Sequence, residues 1–589
     1  MSNAIEKAKK FLSEEKAFRL GLLLTESSHP RTQALSETAW SDLAAAIGLL
    51  QSVDEEIPPA TERVFQQDVF QELVDAFVGA LKTSKRIYFT GCGATGRLSI
   101  LLEAAWRRFW QDLKHNHPDI SAKVPDMEDR TFSIMAGGDF ALIKSVEGFE
   151  DFPDFGRHQL KQAGVQPGDI VIAITEGGET PFVIGTAWQG LDRGAKVFFV
   201  YNNPTELLRT YVQRSREIID HPHIRKLDLT TGPMAIAGST RMQAATAELL
   251  VVGSALEIAL VQFMQENLSA SQCSNLMLHL RPAKEYPRLF ANLLSQLSSP
   301  ANIDTMARAA EFEENIYRQH GLVTYIADSF LLDVLTDTTE RSPTFMVPPF
   351  RKNDDNLSPR SWAFVKDPFR LTEQAWRHLL RREPRGLQWT TATYKQLNAP
   401  LVLQARPPNL DNTEIYKFQI GNEPDPSRTD APDSVLVAIT VGQEDCLARA
   451  GLDTFGSQYK KTATMTISSA AALQTDKLFH IRCDLPDSPL QLWHHLAVKL
   501  VLNTISTATM VRMGRVVGNA MAWLSPSNKK LIDRGCRLVS QLTGCSYDQA
   551  CIALHQAMEE VESRAKRAEE VPSPVALAIE RIHSKDSKS

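Results

Sequence analysis

Hydrophobic and polar positions divide the chain into three regimes. Through residue 85, apolar residues recur at helical spacing, with polar breaks at Glu26-Ser27-Ser28-His29-Pro30 and Glu56-Ile57-Pro58-Pro59 and an amphipathic stretch from Val64 to Leu81. From Arg86 the pattern changes to short apolar runs separated by helical stretches: Ile87 to Thr90, Phe132 to Met135, Ile170 to Ile174 and Val197 to Val200. Continuous apolar runs of that length, alternating with helices, predict parallel strands covered on both faces. A long helical segment from Ala237 to Gln265 closes this part. A second set follows at Leu322 to Ile326, Ala363 to Val365, Val435 to Ile439, Thr464 to Ile467 and Leu478 to Ile481. Two α/β sheets in tandem are the economical reading. Stretches rich in Pro, Asn and Asp, Pro348 to Pro359 and Pro400 to Pro432, predict loops or insertions. After a helix carrying Lys499 to Met513, helical periodicity resumes from Asn528 to Ala568, broken at Thr543-Gly544-Cys545-Ser546, and predicts a C-terminal helical cap; Lys585 to Ser589 reads as a frayed tail.

At 589 residues the chain is too long for one core, so several domains are expected. The expected division is a helical arm over 1–60, a first α/β domain over 61–285, a second over 286–520 and the cap over 521–589. Apolar and charged fractions of 43% and 23% are ordinary for globular proteins. No apolar run reaches the roughly 18 to 20 residues of a spanning helix, and the first residues lack the apolar core of a signal peptide, so a cytoplasmic protein without membrane contact is expected. The seven cysteines are scattered, with no CxxC pair, and predict neither a metal site nor a disulfide framework. A net charge of −6 gives no attraction to nucleic acid.

The sharpest chemical signal is Thr90-Gly91-Cys92-Gly93-Ala94-Thr95-Gly96-Arg97, where a strand runs through three glycines into a helix. A helix N-terminus offers free N–H groups and a positive dipole end to an anion, and the glycines let that anion approach the backbone. The same spacing fits a dinucleotide fingerprint, but no strand ending in Asp or Glu follows where a ribose partner belongs. A tight turn with no ligand is the bland alternative. Two further strand ends carry hydroxyls beside glycines: Thr175-Glu176-Gly177-Gly178-Glu179-Thr180 and Gly238-Ser239-Thr240-Arg241-Met242. In an open parallel sheet such loops converge on one crevice, which makes a phosphate site; for Ser239 and Thr240 simple N-capping would read the same. Glu147 and Glu150 fall three residues apart and share a face if that segment is helical, where they accept sugar hydroxyls or act as a base, unless they form only a solvated acidic face.

Together, Gly91 to Arg97, Ala136-Gly137-Gly138-Asp139, Glu147 to Asp151 and Gly238 to Met242 resemble the N-acetylmuramic acid 6-phosphate etherase family, and resemble still more the two-domain glucokinase regulatory protein family. Leu24 to Thr32, Lys499 to Thr507, Gly518-Asn519, Asn528 to Leu531 and Thr543-Gly544 extend the resemblance over nearly the whole chain, most thinly between about 290 and 490. It implies two flavodoxin-like sugar-isomerase (SIS) domains, no cofactor, and a phosphosugar in the first domain's crevice. It also implies that Gly93, Thr95, Thr175, Gly177, Ser239, Thr240 and Lys499 contact the phosphate end and Glu147 and Glu150 the sugar. The chain departs from the family pattern at Ala94, Thr95, Gly177 and Gln243.

The etherase pattern places its acid fourteen residues after the first glycine, where this chain has Ala105. The second half keeps Asp337-Thr338-Thr339-Glu340, yet its turn Ile326-Ala327-Asp328-Ser329-Phe330 has lost every glycine; the first half has Leu249 where the second keeps Lys499. These complementary losses predict an internal pseudo-dimer with one surviving composite site. On this reading a non-catalytic phosphosugar sensor is favoured, with fructose phosphate or an amino-sugar phosphate as ligand and a sugar kinase as the partner the resemblance suggests. The alternative is an etherase-like lyase with Glu150 as base, Glu340 serving as acid only if it crosses between the halves.

Overall fold

The computed structural model describes residues 3–146, 148–442, 446–470, 478–566 and 572–586. Glu147 and the last residues of the expected tail, 587–589, lie outside them.

Ten strands form two sheets of five. β1 (Ile87–Gly91), β2 (Thr131–Met135), β3 (Ile170–Ile174), β4 (Lys196–Tyr201) and β5 (Ile224–Asp228) lie in the order β2-β1-β3-β4-β5. β6 (Val323–Ile326), β7 (Ala363–Lys366), β8 (Val435–Val441), β9 (Lys461–Ser468) and β10 (Leu478–Arg482) repeat it as β7-β6-β8-β9-β10. Every pairing is parallel, with Ile87 opposite Thr131 and Ile170 in the first sheet and Val323 opposite Ala363 and Val435 in the second. The expected α/β class with two doubly covered sheets is what the chain adopts. Strands β1, β3 and β8 are buried at every position, which is why their sequences carry no polar alternation. β5 has no counterpart among the apolar runs: it is an edge strand whose Arg225 is exposed, so Ile-Arg-Lys-Leu-Asp shows no strand-like pattern.

The halves meet through helices. α1 (Gly93–Asn116) follows β1, and α2 (Gln243–Asn267) closes the first sheet; α3 (Leu331–Phe345) and α4 (Leu492–Arg512) are their counterparts in the second. α1 packs on α3 and α2 on α4, giving an internal two-fold arrangement. α2 begins at Gln243 rather than Ala237, because the preceding residues form a loop with Gly238 at φ +78°. By length and composition α2 is apolar enough to cross a membrane, but its apolar window is wholly buried inside the protein. The amphipathic stretch from Val64 is two helices, Ile57–Phe65 and Asp68–Lys82. The loop-rich stretch 400–432 holds three short helices: Leu401–Ala405, Asn412–Tyr416 and Pro426–Thr429.

The cap consists of α5 (Lys529–Thr543), α6 (Tyr547–Lys566) and α7 (Pro574–Asp586), with Gly544 at φ +74° ending α5. The N-terminal arm packs against it through Ala8 and Phe11. The arm's Leu24 to Thr32 is a structural lock. Ser28 Oγ donates to Asn519 Oδ1 (2.6 Å), Asn519 Nδ2 donates to His29 O (3.1 Å), and Thr32 Oγ1 donates to Ala235 O (2.7 Å). Buried Glu26 accepts two hydrogen bonds from Arg534 and one from Arg537. Burial alone would raise its pKa, but the guanidinium groups outweigh it and hold Glu26 at about 2.

Candidate functional site

Three loops at the C-terminal ends of β1, β3 and the segment before α2 form the first half's crevice. At the first, a Cβ on Gly91 would stand 2.4 Å from the carbonyl carbon of Thr95, so only glycine lets β1 turn into α1. Gly93 has φ +54° and nothing within 4 Å of where its Cβ would be, which leaves the mouth of the loop open. Thr95 is committed elsewhere than expected. Its hydroxyl accepts from Cys92 N (3.0 Å) and donates to Cys92 O (2.9 Å), so it holds the helix start together from a buried position. In the second loop Thr175 and Thr180 share a 2.9 Å hydroxyl contact, and Asn203 Nδ2 fixes Gly177 O at 3.0 Å. In the third, Ser239 and Thr240 precede α2, whose cap position is Met242 with no side-chain bond. Neither hydroxyl is an N-cap.

The second half reaches into this crevice. Lys499 of α4 donates to Arg241 O and to Asn503 Oδ1 (3.0 Å), and burial pulls its pKa down while Glu340 opposes the shift. Glu340 of α3 lies 3.9 Å from Arg241 Nη1, and its charge also reaches Arg97 and Glu176. Arg97 Nε bonds Thr339 (3.3 Å), and Arg241 bonds Asp337 (3.2 Å), Ser506 (3.0 Å) and Thr507 (2.9 Å). A cavity of about 40 Å³ lined by Ala94, Arg97, Glu340, Lys499 and Asn503 lies at this junction. Arg97 Nη2, Arg241 Nε, Glu340 Oε2 and Glu176 Oε1 are buried there without a hydrogen-bond partner, a cost of roughly 1–3 kcal/mol each that a polar ligand would offset.

The geometry also explains Ala105. Twelve residues along α1 from Gly93, position 105 is roughly 18 Å from the phosphate loop and cannot serve it. Ala105 instead lines the other half's crevice, with Ser329 and Phe330. Ala105 thus faces the second half's crevice, while Glu340 of the second half faces the first.

Opposite the phosphate loops, Glu150 lies in a turn rather than in the helix that its spacing from Glu147 suggested. Its carboxylate accepts from Asn528 Nδ2, while Asn528 Oδ1 caps α5 at Leu531 N (2.8 Å). Burial and the adjacent Asp151 push Glu150 up to about 7; burial likewise raises Asp151 to about 6. Burial and the charge of Glu340 raise Glu176 to about 7. Glu179 goes the other way: burial would raise it, but Lys530 (2.9 Å) and Arg214 (2.5 Å) hold it below the ordinary range. Burial together with Glu150, Glu176 and Glu179 raises the Cys92 thiol, which places these carboxylates around the first loop.

Glu340 and Lys499 thus meet the start of α1 at Ala94 and Arg97, Glu150 lies near Cys92, and Gly93, Thr175, Gly177, Ser239 and Thr240 lie on the three loops. Asn528, Lys530, Arg97 and Arg241 were not singled out by residue-type reasoning; the only sequence signal for the first two was the match at Asn528 to Leu531. Among the described residues no group of His, Cys, Asp and Glu is placed to hold a metal ion.

Residues 70–189 match the family model described as glucokinase regulatory protein N-terminal SIS domain. N-acetylmuramic acid 6-phosphate etherase 1 of Bacillus licheniformis is 28% identical over 299 residues, covering 50% of this chain and 86% of the relative. The N-acetylmuramic acid 6-phosphate etherase of Mesorhizobium japonicum is 29% identical over 269 residues, covering 45% and 75%. Among solved structures, the C-terminal domain of glucosamine-fructose-6-phosphate aminotransferase from Francisella tularensis superposes with a TM-score of 0.41 at 12% identity, covering 78% of this chain and 95% of that one.

Proposed function

This chain belongs to the SIS-domain family, and we propose that it is a cytoplasmic lyase that cleaves the ether of an amino-sugar 6-phosphate in its composite crevice. The observation that carries this reading is Glu340, delivered by α3 across the interface to within 3.9 Å of Arg241, which restores an acid to the loops that Ala105 could not reach. The phosphate is held by the α1 N-terminus, the hydroxyls of Thr175, Ser239 and Thr240, and Lys499. Glu150 removes the proton next to the substrate's carbonyl. A carboxylate poised near pH 7 suits that task, being ionised often enough to act and basic enough to accept. The electron pair left on carbon forms the double bond as the carbon–oxygen bond of the ether breaks, and the departing oxygen is protonated from the Glu340 and Glu176 pair, where Glu176 is held up to about 7. The products are an α,β-unsaturated sugar phosphate and the free hydroxy acid, so the elimination balances without an oxidant.

The closest test is incubation with N-acetylmuramic acid 6-phosphate and measurement of released lactate. Turnover lost on Glu150→Gln is expected; no turnover in the wild type defeats the reading. In that case the sensor reading takes over, supported by the match of residues 70–189 to the glucokinase regulatory protein domain and by a cap whose Asn528 and Lys530 touch the site. A fructose phosphate or amino-sugar phosphate then changes the cap's packing, and a sugar kinase is the partner to test by co-purification with and without ligand.

A further inference from the structure

The second crevice is the two-fold mate of the composite site and is far roomier. A cavity of about 620 Å³ opens at the strand ends of β6 and β8, walled by Ala105 and Arg108 from α1, Ser329 and Phe330 before α3, and Gln491 and His494 at the start of α4. Its volume is that of a small-molecule site. Its chemistry differs from that of its mate in three respects.

The phosphate cradle is gone. The turn into α3 has no glycine, the cap position is filled by the Phe330 side chain, and Asp328 is tied to Arg370 (2.9 Å) and His378 (3.4 Å). Charge is balanced as well: Arg108 is the cation among those six wall residues, and Asp112 lies 3.4 Å from it. No glycine loop cradles a phosphate there, and the Arg108 charge is met by Asp112. The wall instead rests on a ring stack around buried Phe330, with Arg108 over the Phe330 ring (5.6 Å) and the His494 ring parallel to it (5.8 Å, 3°). Burial lowers His494 to about 4, so the imidazole is neutral near pH 7.

Two strained features mark the same wall. Gln491 sits at φ +54°, a left-handed conformation unfavourable to a residue with a side chain. Its Oε1 and His494 Nδ1 are buried without hydrogen-bond partners. Strain and unsatisfied polar atoms persist together where the surrounding structure enforces them, and they cluster at ligand sites. A cavity of that volume, with balanced charge and hydrogen-bonding groups awaiting hydroxyl or amide partners, describes a carbohydrate site without a phosphate pocket.

We propose that the second crevice is a non-catalytic binding site for an unphosphorylated sugar, distinct from the phosphosugar site and independent of whether that site is catalytic. Isothermal titration of the full chain with N-acetylglucosamine, unphosphorylated N-acetylmuramic acid and glucose tests it. At least one of the three binds with Kd below about 1 mM, and Ala105→Phe, which fills the cavity, weakens that binding about tenfold or more. Arg108→Ala, which removes a second side chain from the cavity wall, weakens it as well, and circular dichroism melts confirm that both variants fold. Affinity for N-acetylmuramic acid 6-phosphate is unchanged in both. Binding by none of the three sugars overturns the proposal. So does binding that ignores both substitutions, or that N-acetylmuramic acid 6-phosphate displaces one for one, because the sugar would then occupy the composite site.

Discussion

Replacing Glu340 by Gln separates the composite site from every arrangement in which the first half works alone. The change removes one ionisable oxygen and keeps volume and shape, so Arg241 retains its bonds to Asp337, Ser506 and Thr507. Glu340 is buried 3.9 Å from Arg241 and its charge supports buried Arg97, so a thermal melt accompanies the kinetics to show that the variant remains folded. Loss of a general acid typically costs about 10²- to 10⁴-fold, or ~3–5 kcal/mol of transition-state stabilisation. The fall belongs in kcat, because substrate is held mainly by the phosphate loops and Lys499. Lactate release from N-acetylmuramic acid 6-phosphate reads kcat and KM separately. The double variant Ala105→Glu/Glu340→Gln is the control: a carboxylate at position 105 faces the other crevice and restores nothing. Retention of kcat within about tenfold in Glu340→Gln, or rescue by the double variant, refutes the crossing of acids between halves.

Glu150→Gln abolishes turnover, and the wild-type kcat/KM profile rises with pH through about 7 as Glu150 ionises. A carboxyl raised from 4.5 to about 7 by burial contributes stability below its unfolded pKa and loses it as pH climbs to 7, so at pH 8 the Gln variant melts higher than the wild type, by up to ~3 kcal/mol in a denaturant titration. Thr95→Ala and Ser239→Ala separate capping from binding: the first lowers stability by about 1 kcal/mol in thermal melts, whereas the second leaves the melt unchanged and weakens phosphosugar binding severalfold in titration calorimetry. Gly91→Ala, with a Cβ 2.4 Å from the Thr95 carbonyl carbon, yields either no folded protein or one without phosphosugar affinity by thermal shift.

Nine of the ten strands were legible as apolar runs because both faces of each sheet are covered and burial leaves its mark residue by residue. β5 was not, since an edge strand with an exposed Arg225 needs no continuous apolar face. The phosphate loops were legible because glycines at strand ends answer a backbone requirement, as at Gly91. Thr95 shows the limit of that reasoning: a hydroxyl beside an anion site and a hydroxyl holding a helix start have the same sequence, and only its 3.0 Å bond from Cys92 N separates them. Counting from Gly91 found the missing acid but not which crevice it was missing from, because a helix of 24 residues carries a side chain across the interface. Asn528 and Lys530 were hidden for a related reason: they belong to an ordinary helix start and acquire meaning only from what the cap is packed against.

The lock between Glu26 and Arg534 has a consequence for how the protein is made. A ribosome that has emitted the first α/β unit has produced the glycine loops, Glu150 and Ser239, yet neither Glu340 nor Lys499 nor Lys530 exists, and Glu26 is a buried carboxylate waiting for guanidinium groups more than 500 residues downstream. Contacts of such sequence separation form late, after nearly the whole chain has been synthesised. A prematurely terminated chain therefore carries the glycine loops without the residues of the second half and the cap that pack against them.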